Sequence, residues 1–211
     1  MAKINYGIFS NPRGSIANVT FSSWKTINYA KKKIEKNTSN SELQVIQRTK
    51  FALTLSVLKP ITELLRVGWK LYAKKRTAFN AAMSHALKYA ISGTGSEMVI
   101  DHSKIKVASG TLTGAENGVV AIEDSNIVIY WYDNSGINSA KPTDKSLIAV
   151  MNTDNGEAIT LTAGAERATG TQTLALPANW SGDCAATYLA FISDDGKEVS
   201  DSVYLGQINI D

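Results

Sequence analysis

From Ser41 onward the hydrophobic pattern of this 211-residue chain changes period once, at Gly93-Thr94-Gly95, and that change limits what it can fold into. Before it, apolar residues recur at helical spacing; after it, they fall in short runs rich in β-branched and aromatic side chains. Ser41 and Gln44 make a capping-box pair, and Leu43, Ile46, Phe51, Leu55 and Leu58 then lead up to Pro60, which predicts a first helix. Proline is tolerated in a first turn, so a second helix is expected from Pro60, carrying Ile61, Leu64, Leu65, Val67, Trp69, Leu71 and Tyr72. A third segment, Thr77 to Ile91, is Ala-rich and either continues the second helix or stands apart. Helices this few bury one shared stripe and make a thin core, so they should dock on another element or subunit.

From Glu97 onward the chain reads as β. The runs are Met98 to Ile100, Ile105 to Val107, Val119 to Ile122, Ile127 to Tyr132, Leu147 to Met151, Ala158 to Leu161, Thr171 to Leu176, Tyr188 to Ile192 and Val203 to Ile208. Asn117-Gly118, Asn134-Ser135-Gly136, Asp154-Asn155-Gly156 and Asp194-Asp195-Gly196 supply turns between them. Seven to nine strands in about 115 residues suit a β-sandwich of immunoglobulin or fibronectin type III size. Residues 1 to 39 mix turn formers (Gly7, Asn11-Pro12, Gly14) with short β-prone pieces too small for a core, and read as an extended arm or hairpin that needs another surface. The expected fold is therefore α+β: an arm over 1–39, a helical hairpin or bundle over 40–95 and an all-β immunoglobulin- or fibronectin-like sandwich over 96–211.

Charge follows the same division. Residues 1–90 carry 16 Lys and Arg against 3 Asp and Glu, while residues 91–211 carry 6 against 16. Sorting this complete implies two bodies with different partners, or two ends made to meet between copies.

Catalytic and metal chemistry find little footing. His85 and His102 are the only histidines, without metal-ligand spacing, and both read as structural or surface residues. Gly93-Thr94-Gly95-Ser96 reads as a linker rather than a nucleophile elbow, and the lone Cys184, at a strand start, excludes an intrachain disulfide and a cysteine zinc site. Asp194-Asp195-Gly196-Lys197 lacks the spaced oxygens of a calcium loop, and Gly7, Arg13 and Gly14 lack the Gly-Lys-Ser/Thr of a phosphate loop. Tyr130-Trp131-Tyr132 and Trp180 suggest carbohydrate adhesion only if exposed, and burial in the sandwich is the better reading. No enzyme activity, cofactor or metal is expected. No apolar run spans a bilayer, and Met1-Ala2-Lys3-Ile4-Asn5 has no signal-peptide apolar region, so synthesis in a cytoplasm is expected.

The basic half remains. Lys25, Lys31 to Lys33 and Lys36, then Lys70, Lys74, Lys75 and Arg76, could neutralise phosphates, with Trp24 and Tyr29 as stacking groups. No recognised nucleic-acid motif frames them, so contact with an acidic protein surface is favoured and DNA binding is the alternative.

Three stretches resemble an uncharacterised protein family of gut Bacteroidetes and their phages. They are Gly7…Gly14…Asn18-Val19, Gln44…Gln47-Arg48…Phe51, and Tyr188-Leu189-Ala190-Phe191…Asp195-Gly196-Lys197…Val199-Ser200…Ser202-Val203-Tyr204-Leu205-Gly206, with Arg167 matching an arginine of its closing region. None of these motifs is catalytic. The resemblance implies a crAss-like phage virion component of the neck or tail, localised to the virion, that forms a ring with copies of itself and contacts other neck and tail proteins. In such a head-to-tail ring each basic body meets its neighbour's acidic domain. The expected interface lies in the arm, with Ile4, Ile8, Phe9, Val19, Phe21 and Trp24 as apolar anchors and Lys25, Lys31, Lys32 and Lys33 orienting the contact.

Overall fold

The structure, a computed structural model, describes residues 2–3, 13–24, 27–33, 41–93 and 97–210. The chain is α+β, with three α-helices among the described residues and antiparallel strands in several sheets, and it divides into two compact units, residues 1–42 and 43–211.

The first unit holds a four-stranded antiparallel sheet where an extended arm or hairpin was expected. Its strands are β1 (Ala2–Lys3), β2 (Gly14–Ile16), β3 (Val19–Trp24) and β4 (Ile27–Lys32), in the order β1-β4-β3-β2. The turn Ala17-Asn18 joins β2 to β3, and the Lys33 N–H closes on the Asn18 carbonyl at 2.6 Å.

In the second unit, α1 (Glu42–Leu58) stops just before Pro60, and α2 (Thr62–Gly68) is short. The third helix, α3 (Ala78–Tyr89), starts afresh: the Thr77 side chain accepts from the Asn80 N–H at 3.1 Å, an N-cap that separates it from α2. A small ladder of β5 (Ile91–Ser92) and β6 (Val99–Ile100) follows. Two sheets complete the unit. One takes β10 (Ala158–Leu161), β9 (Lys145–Asn152), β12 (Cys184–Ile192) and β13 (Val203–Asn209) in that order; the other takes β11 (Thr171–Ala175), β8 (Asn126–Tyr132) and β7 (Glu116–Glu123).

The two central strands of the larger sheet are buried on both faces. Alternation sends Ile148, Val150, Leu189 and Phe191 into one cluster with Ile127, Ile129 and Trp131 of β8. It sends Leu147, Ala149, Met151, Ala186, Tyr188, Ala190 and Ile192 into a second cluster with Leu64 and Leu65 of α2 and Ala81, Ala82 and Ala86 of α3. Alanines on both sides let helix and sheet approach closely. Three layers result: helices, the four-stranded sheet and the three-stranded sheet.

The boundary expected at 95/96 therefore separates helix from strand without separating two cores. The second element that the thin helical core required is the chain's own sheet. Charge is divided inside this one unit, between basic helices and acidic strands, and the Gly93 region is not a boundary between bodies.

Ile105 to Val107 does not form the expected strand; it is part of a strap across the layers. Ile105 and Val107 are buried in the helix–sheet core, and the Trp69 indole N–H donates to the Lys106 carbonyl at 3.1 Å. The Ser109 N–H reaches the Gly68 carbonyl at 2.9 Å, an approach so close that a Cβ on Gly68 would lie 2.5 Å from the Val107 carbonyl oxygen. On the other side the Asp201 carboxylate accepts from Ser109 Oγ at 2.8 Å and pairs with Lys106 Nζ at 2.6 Å.

Arg167 ties together the loops of the two sheets. Fully buried, it pairs with buried Asp144 at 3.2 Å and donates to the Asn134 side chain at 2.6 Å and the Thr113 carbonyl at 2.8 Å. Its guanidinium lies 3.8 Å from the centre of the Phe191 ring. Burial drives its pKa down, while Asp144 opposes the shift and keeps the charge compensated.

Candidate assembly interface

Cross-strand register settles which residues of the N-terminal sheet share a face. Ile16 pairs with Val19, Val19 with Lys32 and Phe21 with Ala30, so these five lie on one side. Trp24 pairs with Ile27, Ser22 with Tyr29 and Thr20 with Lys31, which places Trp24, Ile27, Tyr29 and Lys31 on the other. The sheet thus carries apolar side chains on both faces. None of residues 13–24 or 27–33 is buried: Ile16 is 67% exposed, Val19 38%, Trp24 48% and Ile27 45%. Exposed apolar side chains grouped in this way mark a candidate interaction surface.

The expected anchors separate accordingly. Val19, Phe21 and Lys32 sit on one face, Trp24 and Lys31 on the other, and Lys33 just beyond β4; Ile4, Ile8, Phe9 and Lys25 lie outside the described residues. Beside the expected anchors, register puts Ile16 on the first face and Ile27 and Tyr29 on the second; Tyr29 was expected only as a stacking group, and alternation within each strand was the available signal. A further apolar surface lies on α1, whose first turns leave Leu43 78% exposed and Phe51 half-exposed. Its signal was an apolar pattern spread round the helix, wider than the one stripe needed for docking on the sheet.

The histidines, Cys184, Asp195 and the tryptophans make contacts within the fold. His85 lies between Trp69 and Tyr89, with ring centres 5.5 and 4.7 Å away. The backbone carbonyl of His102 accepts the Tyr188 hydroxyl at 2.7 Å. Burial pushes both imidazoles below their ordinary pKa. Cys184 opens β12, its N–H donating to Asp154 at 2.6 Å. Asp195 accepts the Lys197 N–H at 3.0 Å and the Ser193 hydroxyl at 2.7 Å, so its oxygens are committed to its own turn. Trp131 and Trp180 are buried, donating to the Arg167 carbonyl and to Glu157, while Tyr130 and Tyr132 face outward. Among the described residues no group of three His, Cys, Asp or Glu could hold a metal ion, and no helix is long and apolar enough to cross a membrane.

A family model matches residues 11–206, taking in β2 to β4 as well as nearly all of the larger unit. The chain belongs to this Family of unknown function (DUF6266). Strands β2 to β4 are thus part of what the family model describes, and the resemblance to an uncharacterised family holds at that level. None of the curated proteins matches the chain.

Proposed function

We propose that the protein is a non-enzymatic structural component that assembles head to tail into a ring, as a neck or tail protein of a phage virion. One observation carries the assembly reading: a four-stranded sheet with apolar side chains on both faces and no buried residue among those described. Within one protein an apolar two-faced sheet belongs in an interior, and here a neighbouring subunit would supply it. Charge supports the same reading, because the basic N-terminal half can meet acidic strands of the next copy. The virion placement rests on the resemblance of the three stretches at residues 7–19, 44–51 and 188–206.

The finer fold proposed is an immunoglobulin- or fibronectin-like sandwich formed by β7 to β13. In chain order these strands take the roles A, B, C, C′, E, F and G, which puts A, B and E in one sheet and C′, C, F and G in the other. The unusual feature is that helices cover the outer face of the larger sheet.

Light scattering on the purified chain at rising salt tests the assembly reading. We expect a defined oligomer at low salt that shifts to smaller species as the charges are screened; a monomer at every concentration and salt overturns it. DNA binding remains the second reading, on the exposed Lys74 and Lys75 between α2 and α3. Duplex DNA retained by the full chain with a steep salt slope would favour it.

A further inference from the structure

Two grooves on the larger unit differ in charge. One, between α1 and α3, is lined by Phe51, Met83, Leu87 and Lys88 and has a cation but no carboxylate among the described residues that line it. The other, about 410 Å³, opens where the end of α1 meets β6 and the β9–β10 hairpin. Its apolar part comes from Leu53, Val57, Val99 and Met151, and its charged rim from Asp154 and Glu157, with no Lys or Arg among the described residues that line it. Both rim carboxylates are exposed yet fixed: Asp154 accepts the Cys184 N–H at 2.6 Å, and Glu157 accepts the Trp180 indole N–H at 2.7 Å. A cation arriving there meets acceptors already held in position.

The β2–β3 hairpin tip has the complementary make-up. Ile16 and Val19 stand side by side on one face, Lys32 continues the same row on β4, and Lys33 is anchored beside the turn. The result is a small apolar knob flanked by cations. Such a knob is repelled by the Lys88 groove and attracted by the one rimmed with Asp154 and Glu157.

We propose that the groove between α1, β6 and the β9–β10 hairpin receives the β2–β3 hairpin tip of a second copy. Ile16 and Val19 fill the apolar part, and Lys32 and Lys33 meet Asp154 and Glu157. The inference rests on the self-assembly reading and names the surface through which it acts. Knob and socket are different surfaces of one chain, so each copy offers one of each; the contact is heterologous and propagates round a ring.

Two single-cysteine variants in a Cys184→Ser background, Ile16→Cys and Val99→Cys, each carrying a different tag, provide the test. Mixed at assembling concentration and treated with a short bis-maleimide, they should give a cross-linked heterodimer. A Val99→Asp variant with an unchanged circular dichroism spectrum should need about tenfold more protein to assemble. If the mixture gives no cross-link while light scattering still shows the full oligomer, the socket assignment falls and self-assembly stands. A third chain carrying both Ile16→Cys and Val99→Cys serves as the control: a cross-link formed only within that chain, and not between the two single-cysteine variants, puts the tip in its own groove and overturns the proposal. A chain that is monomeric throughout removes the self-assembly reading, and this inference with it.

Discussion

Strands β9 and β12 and strands β3 and β4 pose one physical problem and meet two outcomes. Both pairs carry apolar side chains on both faces. Around β9 and β12 the chain supplies its own cover, helices on one side and a second sheet on the other, and almost every residue of the two strands is buried. Around β3 and β4 no described residue is buried. Covered strands stabilise the chain that owns them; on the proposed reading, β3 and β4 gain that stabilisation from a neighbouring copy.

Deleting residues 1–39 is the largest test of this contrast. Assembly should be lost completely in light scattering, while the truncated chain keeps a cooperative thermal unfolding transition at nearly the full-length temperature. A truncated chain that fails to fold would show that the N-terminal sheet belongs to the core after all.

Within the larger unit, Arg167→Met should cost about 3–5 kcal/mol in urea unfolding, because it strands the buried Asp144 charge. Adding Asp144→Asn should recover part of the loss, and the double-mutant cycle measures how much. Next comes Leu65→Ala, expected to cost about 2–5 kcal/mol. Its sharper readout is cooperativity: far-ultraviolet helix signal and tryptophan fluorescence should move together, since Leu65 shares its core with β9 and β12. Separate transitions would restore a helical domain over 40–95.

The smallest effect is a pH dependence. Burial holds His85 and His102 below the ordinary imidazole pKa, so the native state favours their neutral forms. Stability is then complete above about pH 6.5 and is lost as pH falls through the lowered native values. Urea midpoints should drop between about pH 7.5 and about pH 5.5, and His85→Gln with His102→Gln should flatten the drop. The chain's two histidines both lie outside the N-terminal sheet, so the truncated chain should show the same slope.

Element type was largely legible in the residues. Pro60 separates α1 from α2, and eight of the nine β runs expected after Glu97 contain or overlap strands. Ile105 to Val107 misled because two apolar residues flanking a lysine look the same in a strand and in a strap crossing a core. A signal for the helical cover lay unread in the unbroken apolar runs 147–151 and 188–192, since a strand with one wet face would alternate. Six of the ten residues of the expected interface could be placed, and register divided five of them between two faces, which no single-strand reading resolves.

Local chemistry in the sequence by itself determined helices between Ser41 and Ala90, strands after Gly93, and the sorting of charge. Each follows from neighbouring residues, and periodicity and composition report neighbours. Tertiary structure alone decided that helices and strands share one core, that Arg167 and Asp144 meet across 23 residues, and which side chains of the N-terminal sheet stand together. Those facts depend on which faces pack and in what register, and a one-residue slip in register exchanges the two faces of a strand.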